Sequence, residues 1–210
     1  MDTTGRPRLR SRFRKALRYA AELHERQIRK KSSDAAPDVP YLAHLLGVAS
    51  LVIGAGGSED EAIAALLHDA LEDRPRGGRT EREIGARFGP KVRDVVKACT
   101  KAEAEGHDAR LQADREYVRH LKDAGASVQL VAAADKLHNA RAIVADLRED
   151  GDDVWRRFNK TREETLDYYR SLVAALGGAT GAARPLAEEL GRTVETMLEL
   201  AGAGERRAGA

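Results

Sequence analysis

The sequence predicts an all-α fold, a compact bundle of many helices. Three observations lead to it. Apolar residues recur at helical spacing in almost every periodic stretch, no segment alternates convincingly as a strand would, and capping boxes and glycines punctuate the apolar runs.

The first helix is expected from about Arg8 to Gln27, with Phe13, Leu17, Ala20, Ala21 and Leu23 on one side. A polar loop, Lys31 to Val39, follows it. Pro40 suits the first turn of a second helix carrying Tyr41, His44, Val48 and Leu51, which ends in the glycines between Gly54 and Gly57. Ser58 and Glu61 form a capping box for a third helix, Glu59 to about Leu71. The run RPRGGR, Arg74 to Arg79, breaks regular structure. Thr80 and Glu83 make a second capping box for a short helix, and Gly89-Pro90 opens another, Lys91 to about Cys99. Lys101 to Asp108 is polar and glycine-broken, an exposed loop. Two helices follow, about Ala109 to Lys122 and Ser127 to Leu147, parted by Gly125. A charged loop, Arg148 to Asp153, leads to a helix from Trp155 through Leu176. The last helix, roughly Arg184 to Leu200, ends in a Gly/Ala tail expected to fray. No internal repeat is visible. The whole reads as one domain, with a core over residues 1–178 and a C-terminal helix and flexible tail of the same domain over 179–210.

The charge balance excludes some partners. With 36 basic against 34 acidic residues there is no large positive field for nucleic acid or a membrane surface. The basic run from Arg6 to Lys15 reads as a solvated helix face. Cys99 is the sole cysteine, so neither a disulfide framework nor a thiolate metal cluster is available, and a cytoplasmic location is expected. No apolar run approaches a membrane span, and no signal-peptide core follows Met1. Nothing fixes an oligomeric state.

The chemistry concentrates in ALLHDALED, Ala65 to Asp73. On a continuous helix Asp69 and Asp73 would share a face, as would His68 and Glu72, crowding four ligand-type side chains at one end. Unpaired charges cost several kcal/mol to bury, and a metal ion removes that penalty. Asp135 follows the apolar run LVAAA and needs a partner in such surroundings. His44, inside YLAHLLGVA, would alone read as a hydrogen-bonded core histidine. The Glu72–Asp73 pair would alone read equally as a solvated helix end.

Together His44, His68-Asp69 and Asp135 give the H…HD…D order of the HD phosphohydrolases. The resemblance then narrows. PYLAHLLGVA, AALLHDALED, FGPKVRDVVKACTK, LVAAADKLHNAR and WRRFNKTREETLDYYRSL resemble successive motifs of RelA/SpoT-type hydrolase domains, over about residues 15 to 176. No synthetase or regulatory motif follows, so the chain is similar to the stand-alone small alarmone hydrolases, the metazoan SpoT homologue among them.

The resemblance implies an HD-domain fold with His44, His68, Asp69 and Asp135 on one metal ion. That ion is Mn²⁺ in the family, although two imidazoles and two carboxylates also suit Fe²⁺ or Zn²⁺. It implies that Glu72 and Asp73 hold and deprotonate the attacking water. It places Arg29 and Lys30 beside the nucleotide base, Asn139 towards the sugar or phosphate and Lys101 near the phosphates. An exposed basic cluster and an ordinary surface lysine are the plainer readings of Arg29–Lys31 and Lys101. His138, at i+3 from Asp135, could simply brace its helix. The implied activity is hydrolysis of the 3′-pyrophosphate of ppGpp or pppGpp to GDP or GTP and pyrophosphate. Related chains act on ppApp or the NADPH 2′-phosphate, or neutralise a toxic synthetase, and a non-catalytic HD binding module is a further reading. Leu45 replaces a proline common after the first histidine. Ala142 stands where many relatives carry a hydroxyl near the nucleotide, which bears on selectivity.

Overall fold

The computed structural model describes residues 9–29, 37–73 and 78–208, with side chains at 73 and 203–208 excepted. Its helices are α1 (Ser11–Leu23), α2 (Leu42–Gly54), α3 (Glu59–Leu67), α4 (Ala70–Asp73), α5 (Arg79–Phe88), α6 (Pro90–Cys99), α7 (His107–Asp123), α8 (Ala126–Asp150), α9 (Arg162–Leu176) and α10 (Ala183–Ala208), with a 3₁₀ segment Gly151–Arg157 before α9. The extended pairing present is an isolated bridge between Ile28 and Pro40.

The packing centres on α8. Leu130, Val131, Ala132, Ala133, Ala134, Leu137, Ala140, Ile143, Val144 and Leu147 are all buried, so this helix runs through the core from Leu130 to Leu147. It packs against α2, α3, α6, α7, α10 and the 3₁₀ segment. On α3, Ile63, Leu66 and Leu67 are fully buried. Truncating any of them to alanine would cost about 2–5 kcal/mol. The C-terminal helix α10 lies against α8 and α9 through Leu186, Leu190, Val194 and Met197, and runs on to Ala208 rather than ending near Leu200. No helix among the described residues is long and apolar enough to cross a membrane.

Four sequence expectations are corrected. The third helix is not continuous to Leu71: α3 stops at Leu67, His68 and Asp69 form a turn, and α4 restarts at Ala70. Pro40 lies outside α2, in the bridge that ties the two ends of the preceding loop, where Arg29 N–H donates to Val39 and Tyr41 N–H to Gln27, each at 2.8 Å. The Thr80–Glu83 box does not form. Gly78, at φ +75°, is the residue before α5, Thr80 is buried within the helix, and Glu83 accepts from Arg79 and Tyr19. The span from Trp155 to Leu176 is two elements, parted where Thr161 and Glu164 make a capping box for α9. By contrast, the Ser58–Glu61 box forms as read, and Glu61 also accepts from Ser127 Oγ at 2.7 Å, tying the start of α3 to the start of α8.

Candidate active site

Three elements deliver the site. His44 comes from the first turn of α2, His68 and Asp69 from the turn between α3 and α4, and Asp135 from the middle of α8. His44, His68 and Asp135 are buried, and their ligand atoms lie within 4.8 Å of one another. His44 Nε2 stands 3.3 Å from His68 Nε2 and 3.3 Å from Asp135 Oδ1. Asp69 Oδ2 is 3.0 Å from His68 Nε2 and 3.6 Å from His44 Nε2. Donors about 2.1 Å from a common ion stand about 3.0 Å apart at right angles, so these spacings suit a single first-row divalent cation. The break in the helix at His68–Asp69 is what aims both neighbours inward.

The outer contacts fit the same reading. His68 Nδ1 lies 2.8 Å from the carbonyl of Ala65, which only an N–H can satisfy, so Nε2 is left as the lone-pair nitrogen. His44 Nδ1 faces His138 Nδ1 at 3.0 Å. The Tyr41 hydroxyl donates to Asp69 Oδ2. Asp135 Oδ2 accepts from Lys136 Nζ at 2.6 Å, and Asp135 Oδ1 from Asn139 Nδ2 at 2.7 Å. Each proposed ligand is therefore held by a partner of its own.

The electrostatics favour a cation. Burial works against charge on Asp69, but His68 and His44 hold its carboxyl well below the usual range. Burial works against Asp135 too, and there Lys136 and the two imidazoles prevail in the same direction. Burial also disfavours a charged His68, yet Asp69 and Asp135 raise it well above its ordinary value. The carboxylates thus draw positive charge into the centre, a demand that a divalent ion satisfies. Burial, with the charges of His44 and Arg29, lowers His138 to about 4 and keeps it neutral.

Glu72, in α4, accepts the backbone N–H of Lys101 at 2.6 Å. Burial raises its carboxyl above the ordinary range, the bond from Lys101 opposes this, and the charge of Asp69 adds to it. A raised carboxyl with one oxygen anchored is suited to accept a proton. The side chain of Asp73 and the whole of Lys30 lie outside the described residues. Arg29 does reach the site: its Nη2 donates to Asn139 Oδ1 at 3.2 Å, which links it through Asn139 to Asp135.

Lys101 is held by an acidic partner. Its Nζ turns to Asp114 Oδ1 at 3.3 Å and lies 5.6 Å from the Tyr168 ring centre. Lys160 meets Asp114 Oδ2 at 2.5 Å and the same ring at 4.2 Å. Beside this pair a cavity lies between α7 and α9, lined by Leu111, Asp114, Val118 and Tyr168 among others. Sequence reasoning did not single out Tyr41, Lys136, Asp114 or Lys160. Tyr41 at i−3 from His44 and Lys136 beside Asp135 were visible as neighbours of ligands. Asp114 and Lys160 carried no local signal.

Comparison with known proteins points one way. A family model described as HD domain matches residues 16–178. The guanosine-3′,5′-bis(diphosphate) 3′-pyrophosphohydrolase MESH1 of Xenopus tropicalis is 36% identical over 130 residues, covering 61% of this chain and 67% of that protein. The GTP pyrophosphokinase rsh of Brucella melitensis is 33% identical over 166 residues, 78% of this chain and 20% of that one. The guanosine-3′,5′-bis(diphosphate) 3′-pyrophosphohydrolase of Haemophilus influenzae is 30% identical over 161 residues, 75% and 21%. The chain therefore spans about a fifth of the last two. Among solved structures, lmo0812 of Listeria monocytogenes superposes with a TM-score of 0.66 at 25% identity, over 74% of this chain and 99% of that one. The structure of a metazoan ortholog of SpoT gives 0.68 at 23% identity, over 87% and 95%, a likeness of fold. The chain belongs to the HD-domain family, in its RelA/SpoT-type hydrolase branch.

Proposed function

We propose that the chain hydrolyses (p)ppGpp at the 3′ position, releasing pyrophosphate and leaving GDP or GTP, with one Mn²⁺ held by His44, His68, Asp69 and Asp135. The observation that carries this reading is the convergence of those four side chains beside Glu72, in a chain whose relatives include ppGpp 3′-pyrophosphohydrolases. Bound there, the ion would act as a Lewis acid on the 3′-linked phosphate and lower the pKa of a water.

The chain's own groups supply the rest. Glu72, with its raised carboxyl and one oxygen on Lys101 N–H, takes a proton from the attacking water, and Asp73 shares that task. The water oxygen adds to the phosphorus joined to O3′, the P–O3′ bond breaks, and O3′ leaves as the hydroxyl with the proton that Glu72 returns. Arg29 and Lys30 take the role of flanking the base that the family resemblance implies, and Asn139, bonded to both Arg29 and Asp135, orients the sugar. Lys101 reaches the phosphates by exchanging Asp114 for them. Residues 1–178 form the catalytic core, and α10 braces the same domain through α8. The lone buried thiol of Cys99, raised by burial, is inert and in keeping with a reducing cytoplasm.

The test is a product assay with Mn²⁺ on ppGpp, ppApp and NADPH, read by ion-exchange chromatography. Pyrophosphate and GDP should appear from ppGpp. Turnover confined to ppApp or NADPH would move the substrate, and release of single phosphates from ppGpp would refute the bond assignment.

A further inference from the structure

His44 can bind a cation through Nε2 only if its proton sits on Nδ1, and a buried N–H needs an acceptor. The atom facing Nδ1 is not a carboxylate or a carbonyl but a second imidazole, His138 Nδ1, at 3.0 Å from a position 94 residues away. The two rings meet edge-on, with centroids 4.9 Å apart and planes at 65°. Gly47, one turn beyond His44 on α2, makes the room. A Cβ built there would stand 2.2 Å from His138 Nε2 and 2.4 Å from its Cδ2. The backbone of Gly47 is ordinary helix, so its missing side chain answers to the ring and not to a left-handed turn.

We propose that His138, seated in the notch left by Gly47, is a positioning residue that fixes the tautomer and ring angle of His44 and so sets the affinity of the metal centre. It touches neither substrate nor ion. Helix α8 thus contributes to the centre twice, through Asp135 directly and through His138 by way of His44. The inference rests on the metal-centre part of the proposed function and is independent of which nucleotide is cleaved.

Two substitutions separate an acceptor role from a packing role. His138→Asn keeps an acceptor oxygen at the δ position and loses the ring. His138→Phe keeps the ring and loses the acceptor. Titration of the full chain with Mn²⁺ alone, followed by calorimetry, should show His138→Phe weakened about 10- to 100-fold and His138→Asn within a few-fold of wild type. Thermal melts of the metal-free proteins report packing separately, and there the ranking should reverse. Gly47→Ala should weaken Mn²⁺ in the wild-type background but add little to His138→Asn, whose shorter side chain leaves room for the methyl. Mn²⁺ affinity that follows ring volume, with Phe equal to wild type and Asn impaired, overturns the proposal. So does Gly47→Ala with unchanged affinity. A wild-type protein that takes up no Mn²⁺ would instead refute the metal centre itself, a failure visible before any variant is made.

Discussion

Tyr41 donates its hydroxyl hydrogen to Asp69, so the segment that launches the His44 helix also restrains a carboxylate in the turn after α3. The bond crosses 28 residues of sequence and locks two of the three ligand-bearing elements together. Tyr41→Phe removes the hydroxyl and leaves the ring stacked on His24, 5.3 Å between centroids. Mn²⁺ affinity is expected to fall about 10- to 100-fold with the fold intact. Equal affinity for wild type and variant, in a competition titration against a metal-sensitive dye, would reduce Tyr41 to a packing residue.

The ligands themselves should behave differently from their supports. His68→Ala or Asp135→Ala removes a donor and leaves the remaining charges buried, so elemental analysis should show lost Mn²⁺ after gel filtration. The gain in melting temperature that Mn²⁺ gives the wild type should vanish in both. Full retention of the ion in both variants would overturn the ligand set.

Glu72→Gln keeps size and hydrogen bonding but removes the basic oxygen. Turnover should drop by about 10²–10⁴-fold while Mn²⁺ stays bound. The same holds for Asp73→Asn. Near wild-type rates for both would make the pair a structural helix end.

Arg29 and Asn139 are distinguishable by what else they touch. Arg29→Ala should raise KM and change Mn²⁺ affinity less than loss of Asn139 does, since it meets Asp135 only through that amide. Asn139→Ala should raise KM and also weaken the ion modestly, because its amide donates to Asp135. Identical phenotypes would show that the Arg29–Asn139 contact does not separate nucleotide from metal.

Glu61 offers a pH test away from the site. Burial opposes its charge, but bonds from Ser127 and Ser58 prevail and hold the carboxyl below its ordinary 4.5. A depressed carboxyl stabilises the fold above its unfolded pKa and loses that contribution as pH falls through the folded value. Glu61→Gln should therefore melt lower than wild type at about pH 7, and the gap should close towards about pH 3. A gap that does not change with pH would assign the effect to shape rather than charge.

Of the side chains that the structure brings together, Asp135 and the His68–Asp69 pair carry a local signature, and His44 does not. Asp135 ends a run of apolar residues, and His68-Asp69 precedes an acidic pair at fixed spacing. The Ser58–Glu61 box was legible for the same reason: both partners lie within one turn. The break at His68–Asp69 was not, since neither glycine nor proline marks it, and it arises where His68 turns onto the Ala65 carbonyl and towards His44. Thr80 misled because the positive-φ Gly78 takes the cap position of α5 and leaves the threonine two residues too late to cap. His138 on His44, and Lys160 on Asp114, are products of packing across 94 and 46 residues, which no window on the sequence contains.

The run from Arg29 through Asn139 to Asp135 has a thermodynamic consequence. A nucleotide that engages Arg29 would alter the restraint on Asn139, whose amide donates to Asp135 Oδ1, one of the oxygens proposed to hold the ion. With the proposed ligand set, occupancy at one end would carry a coupling free energy to the other, and linkage makes any such coupling symmetric. By whatever factor the cation tightens the nucleotide, the nucleotide must tighten the cation. Where that factor exceeds one, the proposed cation would be held most fully when the nucleotide is abundant.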